Sequence, residues 1–452
     1  MADRQDDPSP SAPPIDSPTP APPGTDADRV LAVFANQTDW LCTIESGANP
    51  HADPSRIWIG QGLTAARTGL TGVLIVDPKD VPAPSTIDHG LRFLGGTGCG
   101  DILVWSAVDD EGGRALDLAF LSRGCTDSFR PTWMWRDLPL DAPADPERSL
   151  APGITISIAE EADRGDIAAA TSLPYISVDL IHTVIDRATV PERERRVWIV
   201  VARKGRTDAD SRVVGLTAVN LLDYRRCLVA ALFNLAVDES ERRQGIGTAL
   251  TRAACEIAAS RGAIGIGLNA TPDGERIYRP LGFAECGSGQ TWYLTGQQLH
   301  SPPNRSEISW AEDLGRGEIA DLSPPTPTRE MPNGETPLAF AARFGQVKAA
   351  LWLLSHGVEP EIGALWTLGM REEAQTLASE SRYLNAMRCQ GMMTELHAAI
   401  LAGDEELAGM LIAAGADLTV QDGTHHGTPL RWAEVLERPA IAALIAGAGG
   451  TR

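Results

Sequence analysis

The seven cysteines of this 452-residue chain, at 42, 99, 125, 227, 255, 286 and 389, never form a C-x-x-C pair. That spacing argues against a disulfide framework, a zinc ribbon and a thioredoxin-type dithiol, and a reducing cytoplasm is the expected setting. No apolar stretch approaches the roughly 18 to 20 uncharged residues of a membrane span, and the first residues carry neither a basic start nor an apolar signal core. A soluble, cytoplasmic protein with no membrane partner is expected. Basic charge is also scarce: 39 Lys and Arg stand against 60 Asp and Glu, a net charge of -21. A nucleic-acid partner is not expected, because such binding is driven by Lys and Arg displacing counterions from phosphates.

The length exceeds that of one ordinary domain, so several cores are expected. Residues 1–28 hold eight prolines and six aspartates beside one arginine. They lack the apolar surface to offset the entropy of ordering and read as a disordered acidic tail. Residues 300–333, punctuated by Pro302, Pro303, Pro324, Pro325, Pro327 and Pro332, read as a linker.

Between these, 29–147 reads as an α/β lobe: strand at 72–76, helix at 86–93, strand at 102–106, helix at 114–122, and an alternating strand at 132–138. Its glycine run at 95–100 looks like a phosphate cradle, yet it follows a helix and precedes a strand, the reverse of a nucleotide loop, so a turn is the preferred reading. The piece 151–299 reads as strand, helices, strands, long helix, strand, short helix, strand. It carries 17 basic and 18 acidic residues, so an anionic ligand is not repelled there.

From 334 onward a phrase recurs: Thr336-Pro337-Leu338-Ala339, Thr394-Glu395-Leu396-His397 and Thr428-Pro429-Leu430-Arg431. The last two starts are 34 residues apart and the first two 58, close to two periods. Gly357 and Gly415 each close a second helix as a C-cap would. This resembles ankyrin repeats, whose period is about 33 residues. About four repeats are expected, one of them (362–385) lacking the phrase. His397 is expected to stabilise a turn, His425 and His426 to sit in a loop, and no metal site is expected.

The chemistry-bearing motif follows the strand 227–237: Asp238-Glu239-Ser240-Glu241-Arg242-Arg243-Gln244-Gly245-Ile246-Gly247-Thr248 opens a helix. Such a turn offers unpaired backbone N–H groups and the positive end of a helix dipole, which suit a pyrophosphate. Gly245 and Gly247 would let phosphates approach. Downstream comes Asn269, then Tyr278-Arg279-Pro280-Leu281-Gly282-Phe283. The R-x-x-G-x-G turn and the later Tyr-x-x-Leu-Gly-Phe together resemble the GCN5-related N-acetyltransferase (GNAT) family.

The resemblance implies a mixed, splayed sheet with helices on both faces over 151–299, followed by the all-α ankyrin solenoid over 334–452. The lobe 29–147 would be a degenerate copy of the same fold or an unrelated α/β domain. The resemblance further implies acetyl-coenzyme A as donor substrate. Its pyrophosphate would be held by Arg242, Arg243, Gln244, Gly245, Ile246, Gly247 and Thr248, its pantetheine and thioester by main-chain groups of Leu235 and Val237, with Asn269 a further contact. Tyr278 would give a proton to the departing thiolate, or else pack between helix and sheet. The general base is not readable; Asp223, Asp238 and Glu239 lie near the expected cleft. Cys255, inside the long helix, reads as core rather than as an acyl-carrying nucleophile. The expected activity is acetyl transfer to an amine of a protein or small molecule by direct attack in a ternary complex, with the repeats recruiting a protein. The alternative is a non-catalytic ankyrin scaffold with an acyl-coenzyme A-sensing lobe.

Overall fold

The structure, a computed structural model, describes residues 23–45, 55–68, 71–107, 110–139, 150–170, 173, 178–205, 211–326, 329–387 and 393–450. Most of the expected acidic tail, 1–22, lies outside the described residues. The chain forms two compact units, Met1–Glu45 with Pro131–Gly287 and Ser46–Arg130 with Ser288–Arg452.

The first unit is built on a seven-stranded sheet in the order Ala284–Ser288, Thr132–Asp137, Gly265–Ala270, Cys227–Val237, Arg212–Tyr224, Val197–Lys204, Ile154–Ile158. The central pair, Cys227–Val237 with Gly265–Ala270, is parallel. A parallel pair needs a crossover, and helix Ile246–Ser260 supplies it. Ile246, Leu250, Ala254, Ile257 and Ala258 recur at helical spacing and bury one face against Ile266 and Leu268.

The other sheet face is covered by helix Asp26–Asp39, which Thr25 caps through a 3.2 Å bond from the Asp28 N–H. Strand alternation turns Gly267 away from Ile266 and Leu268, and a Cβ there would fall 2.2 Å from Val33 Cγ2. Gly287 makes the same allowance for Val30, at 2.7 Å. These glycines let the helix seat on the strands.

The second unit has a six-stranded sheet in the order Ile57–Gly60, Leu63–Thr68, Thr71–Val76, Ile102–Ser106, Gln290–Leu294, Thr126–Asp127. Its parallel pair, Thr71–Val76 with Ile102–Ser106, is again bridged by a crossover helix, Pro84–Gly96. The lobe thus repeats the arrangement of the first unit. Its crossover helix begins at Ala83, which makes no side-chain cap bond, and at Pro84, which has no N–H to offer. The glycine run at 95–100 closes that helix, with Gly98 at φ 68°, and is a turn.

The chain divides differently from the pieces drawn on the sequence. Residues 29–39 and 132–137, placed with the N-terminal lobe, and 26–28, placed with the disordered tail but helical here, build the sheet unit that carries the chemistry-bearing motif: Thr132–Asp137 pairs antiparallel with Gly265–Ala270 over six residues. Conversely Gln290–Leu294, placed with 151–299, pairs with Ile102–Ser106. Hydrophobic alternation marks a strand without saying which sheet it enters, so both exchanges escaped sequence reading.

The stretch 300–333 is likewise not a plain linker. It contains helix Arg305–Arg316, started by an Asn304/Glu307 capping box and ended by Gly317 at φ 75°. Trp310, Ala311 and Leu314 are buried in one core with Leu94, Phe120 and Trp292 of the lobe and with Phe340 and Leu353 of the first repeat. The prolines flank this helix rather than interrupt it.

Among the described residues four helix pairs follow: Pro337–Arg343 with Val347–Ser355, Ile362–Thr367 with Arg371–Ala378, Glu395–Ala402 with Glu405–Ala413, and Pro429–Val435 with Pro439–Gly447. Thr336, Thr394 and Thr428 each cap a first helix. In the repeat that lacks the phrase, Glu361 takes that place and its carboxylate accepts from the Thr336 hydroxyl one repeat back. His397 is buried, shares a capping box with Thr394, and bonds the Gly427 carbonyl at 3.1 Å. It stabilises a turn, as expected. Among the described residues no cluster of three or more His, Cys, Asp or Glu could hold a metal, and no helix is long and apolar enough to cross a membrane.

Candidate functional site

Strand Cys227–Val237 pairs with Arg212–Tyr224 from Cys227 to Val237, but its parallel register with Gly265–Ala270 covers only Ala230 and Ala231. Beyond Ala231 the two strands part, so the second half of Cys227–Val237 is left unpaired on that side. Within that half the register with Arg212–Tyr224 shifts between Phe233 and Ala236, a bulge at which Asn234 takes φ 54°.

The strand runs into a rigid turn. Asp238 accepts from the Ser240 N–H at 3.0 Å and the Ser240 hydroxyl at 2.6 Å, capping the start of the short helix Glu239–Glu241. Glu241 is buried; its carboxylate accepts from Lys204 at 2.6 Å, Arg212 at 2.7 Å and Gln244 at 2.8 Å. The Lys204 bond is the foremost of several interactions that hold this carboxyl below its usual range. The turn is therefore anchored by a buried anion while Arg242 and Arg243 stay exposed.

Gly245 is the N-cap of helix Ile246–Ser260 at φ 79°, in the left-handed region that favours glycine. A Cβ there meets nothing within 4 Å. The first helical bond runs from the Ala249 N–H to the Gly245 carbonyl at 3.0 Å, which leaves the N–H groups of Ile246, Gly247 and Thr248 without intrahelical partners. Gly247 differs from the expectation that it makes room for phosphate: it is buried, and a Cβ would lie 2.9 Å from Ile277 Cδ1 and 3.9 Å from Leu235 Cδ2. It makes room for helix Pro272–Tyr278, which carries Tyr278.

Leu235, Gly247 and Ile277 are thus gathered at one point. Leu235 and Val237 are half-buried against the apolar core. The Val237 carbonyl receives Arg242 Nε at 3.4 Å, and the Gln244 amide is engaged by Glu241. Asn269, at the end of its strand, has a buried Oδ1 with no hydrogen-bond partner.

Tyr278 is 6% exposed, its ring 5.7 Å from that of Phe283, and burial alone pushes its phenol above its ordinary pKa. Gly274 leaves space for that ring, since a Cβ there would lie 2.9 Å from Tyr278 Cε2. Of the three acids considered as bases, Asp238 is buried and already bonded to Ser240 and Arg212, whereas Asp223 and Glu239 are exposed. Cys255 is buried with its thiol pushed up to about 12, in keeping with a core residue.

Sequence reasoning missed the bulge at Asn234 and the Lys204–Glu241–Arg212 anchor. The alternating apolar pattern hides a bulge, and an anchor drawn from three separate segments leaves no local motif.

Residues 172–283 match the model of the acetyltransferase (GNAT) family, and residues 333–363 and 393–423 match that of the ankyrin repeat. No curated protein matches the chain. Among solved structures it is similar to a GCN5-related N-acetyltransferase from Kribbella flavida, with 18% identity over 61% of this chain and 98% of that one and a TM-score of 0.41. It is also similar to a GCN5-related N-acetyltransferase from Sphaerobacter thermophilus, with 15% identity over 60% and 94% and a TM-score of 0.39. A tandem GNAT protein from the clavulanic acid biosynthesis pathway shows 16% identity over 52% and 78% and a TM-score of 0.37.

Proposed function

We propose that the unit containing residues 172–283 transfers an acetyl group from acetyl-coenzyme A to the nitrogen of an amine, by direct attack in a ternary complex, and that the ankyrin repeats engage a protein partner or substrate. The observation that carries this reading is the parting of two parallel strands beside a turn whose glycine N-cap opens on empty space. The unpartnered Asn269 oxygen supports it, because a buried acceptor without a donor is costly unless a ligand supplies one.

In this reading the N–H groups of Ile246, Gly247 and Thr248 receive the pyrophosphate, with the exposed guanidinium groups of Arg242 and Arg243 adding positive charge. Main-chain groups of Leu235 and Val237 line the pantetheine. The neutral amine nitrogen attacks the thioester carbon and forms the C–N bond, and the Leu235 N–H stabilises the resulting oxyanion. Collapse breaks the C–S bond. Tyr278 gives its proton to the departing thiolate and regains one from solvent, while the acceptor nitrogen loses its proton to water. A raised pKa keeps the phenol protonated at working pH, the state a donor needs.

One observation favours a second reading, an acyl-coenzyme A-sensing scaffold without turnover: Tyr278 packs against Phe283 as a core residue does. Calorimetric titration of the full chain with acetyl-coenzyme A, followed by thiol release in the presence of spermine, an aminoglycoside or a lysine peptide, separates them. Binding with amine-dependent release supports the transferase. Binding with no release for any amine supports the sensor, and absence of binding overturns both.

A further inference from the structure

The Thr217 side chain is fully buried at 0% exposure, in the strand Arg212–Tyr224 opposite the bulge. The register places Ala218 against Phe233 and Leu216 against Ala236, so Thr217 alone faces two positions, Asn234 and Leu235, one more than a regular ladder has. Its hydroxyl donates to the Phe233 carbonyl at 2.9 Å. Phe233 is the last residue in register before the shift, and Asn234, next along, holds φ 54°, a backbone state that disfavours most side chains and that Asn tolerates. The bulge is therefore held from two sides, by a buried hydroxyl at its start and by a residue suited to its left-handed step.

We infer that Thr217 is a positioning residue for the transfer reaction: by fixing the Phe233 carbonyl it sets the bulge and so aims the Leu235 N–H at the thioester oxygen. This rests on the reading of the site as an acetyl-coenzyme A site. An oxyanion donor works by being preorganised, and a kink of one residue in an otherwise regular strand is a soft place unless something pins it. The Thr217 hydroxyl supplies that pin from the neighbouring strand without touching substrate.

The test is a ratio of affinities that isolates the carbonyl. Acetyl-coenzyme A and S-ethyl-coenzyme A share the nucleotide and pantetheine but differ in the thioester carbonyl, so the ratio of their dissociation constants on the full chain reads the Leu235 N–H bond. The expected preference for acetyl-coenzyme A is about tenfold, the size of one good hydrogen bond. Thr217→Val should bring the ratio close to one while leaving S-ethyl-coenzyme A affinity unchanged, and Thr217→Ser should keep the wild-type ratio. Should Thr217→Val fail to fold, Asn234→Ala, which penalises the left-handed step, reads the same ratio, and Asn234→Gly should preserve it. Equal weakening of both ligands, or an unchanged ratio, overturns the inference and leaves Thr217 a purely structural residue. Failure of the wild type to bind either ligand removes the acetyl-coenzyme A site and the inference with it.

Discussion

Arg123 Nη1 lies 2.8 Å from Glu312 Oε1, and Arg123 Nε lies 2.5 Å from Asp88 Oδ1. The arginine is 5% exposed, so its charge is stabilised mainly by these two carboxylates and by the Ala119 carbonyl. It joins the crossover helix of the N-terminal lobe to helix Arg305–Arg316. Arg123→Ala leaves Asp88, 40% exposed, to solvent and Glu312 with Arg316 as its remaining partner, so the loss of the buried guanidinium's bonds should cost about 1 to 3 kcal/mol. Denaturation midpoints check the loss, and proteolysis should then open residues 300–333. Arg123→Lys should rescue little, because an ammonium cannot bridge both carboxylates as a guanidinium does.

The shared core makes a prediction about fragments. A chain ending at residue 299 keeps Phe120 and Trp292 but loses Trp310, Leu314, Phe340 and Leu353, which pack in the same cluster. A chain beginning at residue 151 loses helix Asp26–Asp39 and strand Thr132–Asp137 from the sheet of the first unit. Both fragments should be insoluble or expose apolar surface to a hydrophobic dye, whereas residues 23–452 should behave as the full chain. A soluble, cooperatively melting chain beginning at residue 151 would show that strand Thr132–Asp137 and helix Asp26–Asp39 are dispensable, and one ending at residue 299 would show the same of Trp310, Leu314 and the first repeat.

The elements of the first unit were largely legible: strand Cys227–Val237 and helix Ile246–Ser260 fall where their alternating and helical patterns place them. What the pattern could not carry was partnership. Gly265 and Gly267, two residues apart in one strand, do signal close packing on one face, but nothing local says that Trp135 and Val33 are what fills it. In the same way the R-x-x-G-x-G spacing located the turn, while the roles of its two glycines separate only in three dimensions. Gly245 serves backbone conformation and open space; Gly247 serves helix packing.

That separation sets a test of the phosphate site. Gly247→Ala meets the terminal methyl of Ile277 at 2.9 Å and Leu235 at an ordinary contact of 3.9 Å, so it should perturb stability and acetyl-coenzyme A affinity modestly. Gly245→Val forces a β-branched side chain into a left-handed N-cap and into the space above the first-turn N–H groups, at a conformational cost of about 1 to 2 kcal/mol. It should weaken acetyl-coenzyme A binding more than tenfold while circular dichroism and the core melt remain. Calorimetry on both variants decides it, and equal affinities would move the pyrophosphate away from this turn.

His397 gives the repeats a pH dependence. Burial is the main influence and lowers its pKa, with the Gly427 carbonyl bond opposing it. A group whose folded pKa lies below its unfolded value, about 6.5 for histidine, contributes stability that is present above that value and is lost as pH falls through the folded one. The melting midpoint of the repeats should therefore drop on acidification below about pH 6.5. His397→Gln should lower stability at pH 7.5 and flatten the slope between pH 7 and pH 5. An unchanged slope would assign the acid sensitivity to other groups.

Tyr278 is where chemistry and packing compete for the same side chain. Its ring fills space beside Gly274 and Phe283, and its hydroxyl is the acid in the proposed transfer. Tyr278→Phe keeps the ring and deletes the proton, so the melt and acetyl-coenzyme A affinity should hold while turnover falls about 10²-fold, the lower end of general-acid effects. The loss should shrink when the acyl donor carries a thiol of lower pKa, because a better leaving group needs less protonation at the transition state. Tyr278→Ala, by contrast, should lower stability by about 3 to 5 kcal/mol through the cavity it leaves. A Phe variant with full activity and the same donor dependence as wild type would make Tyr278 a packing residue, and the thiolate would then take its proton from water.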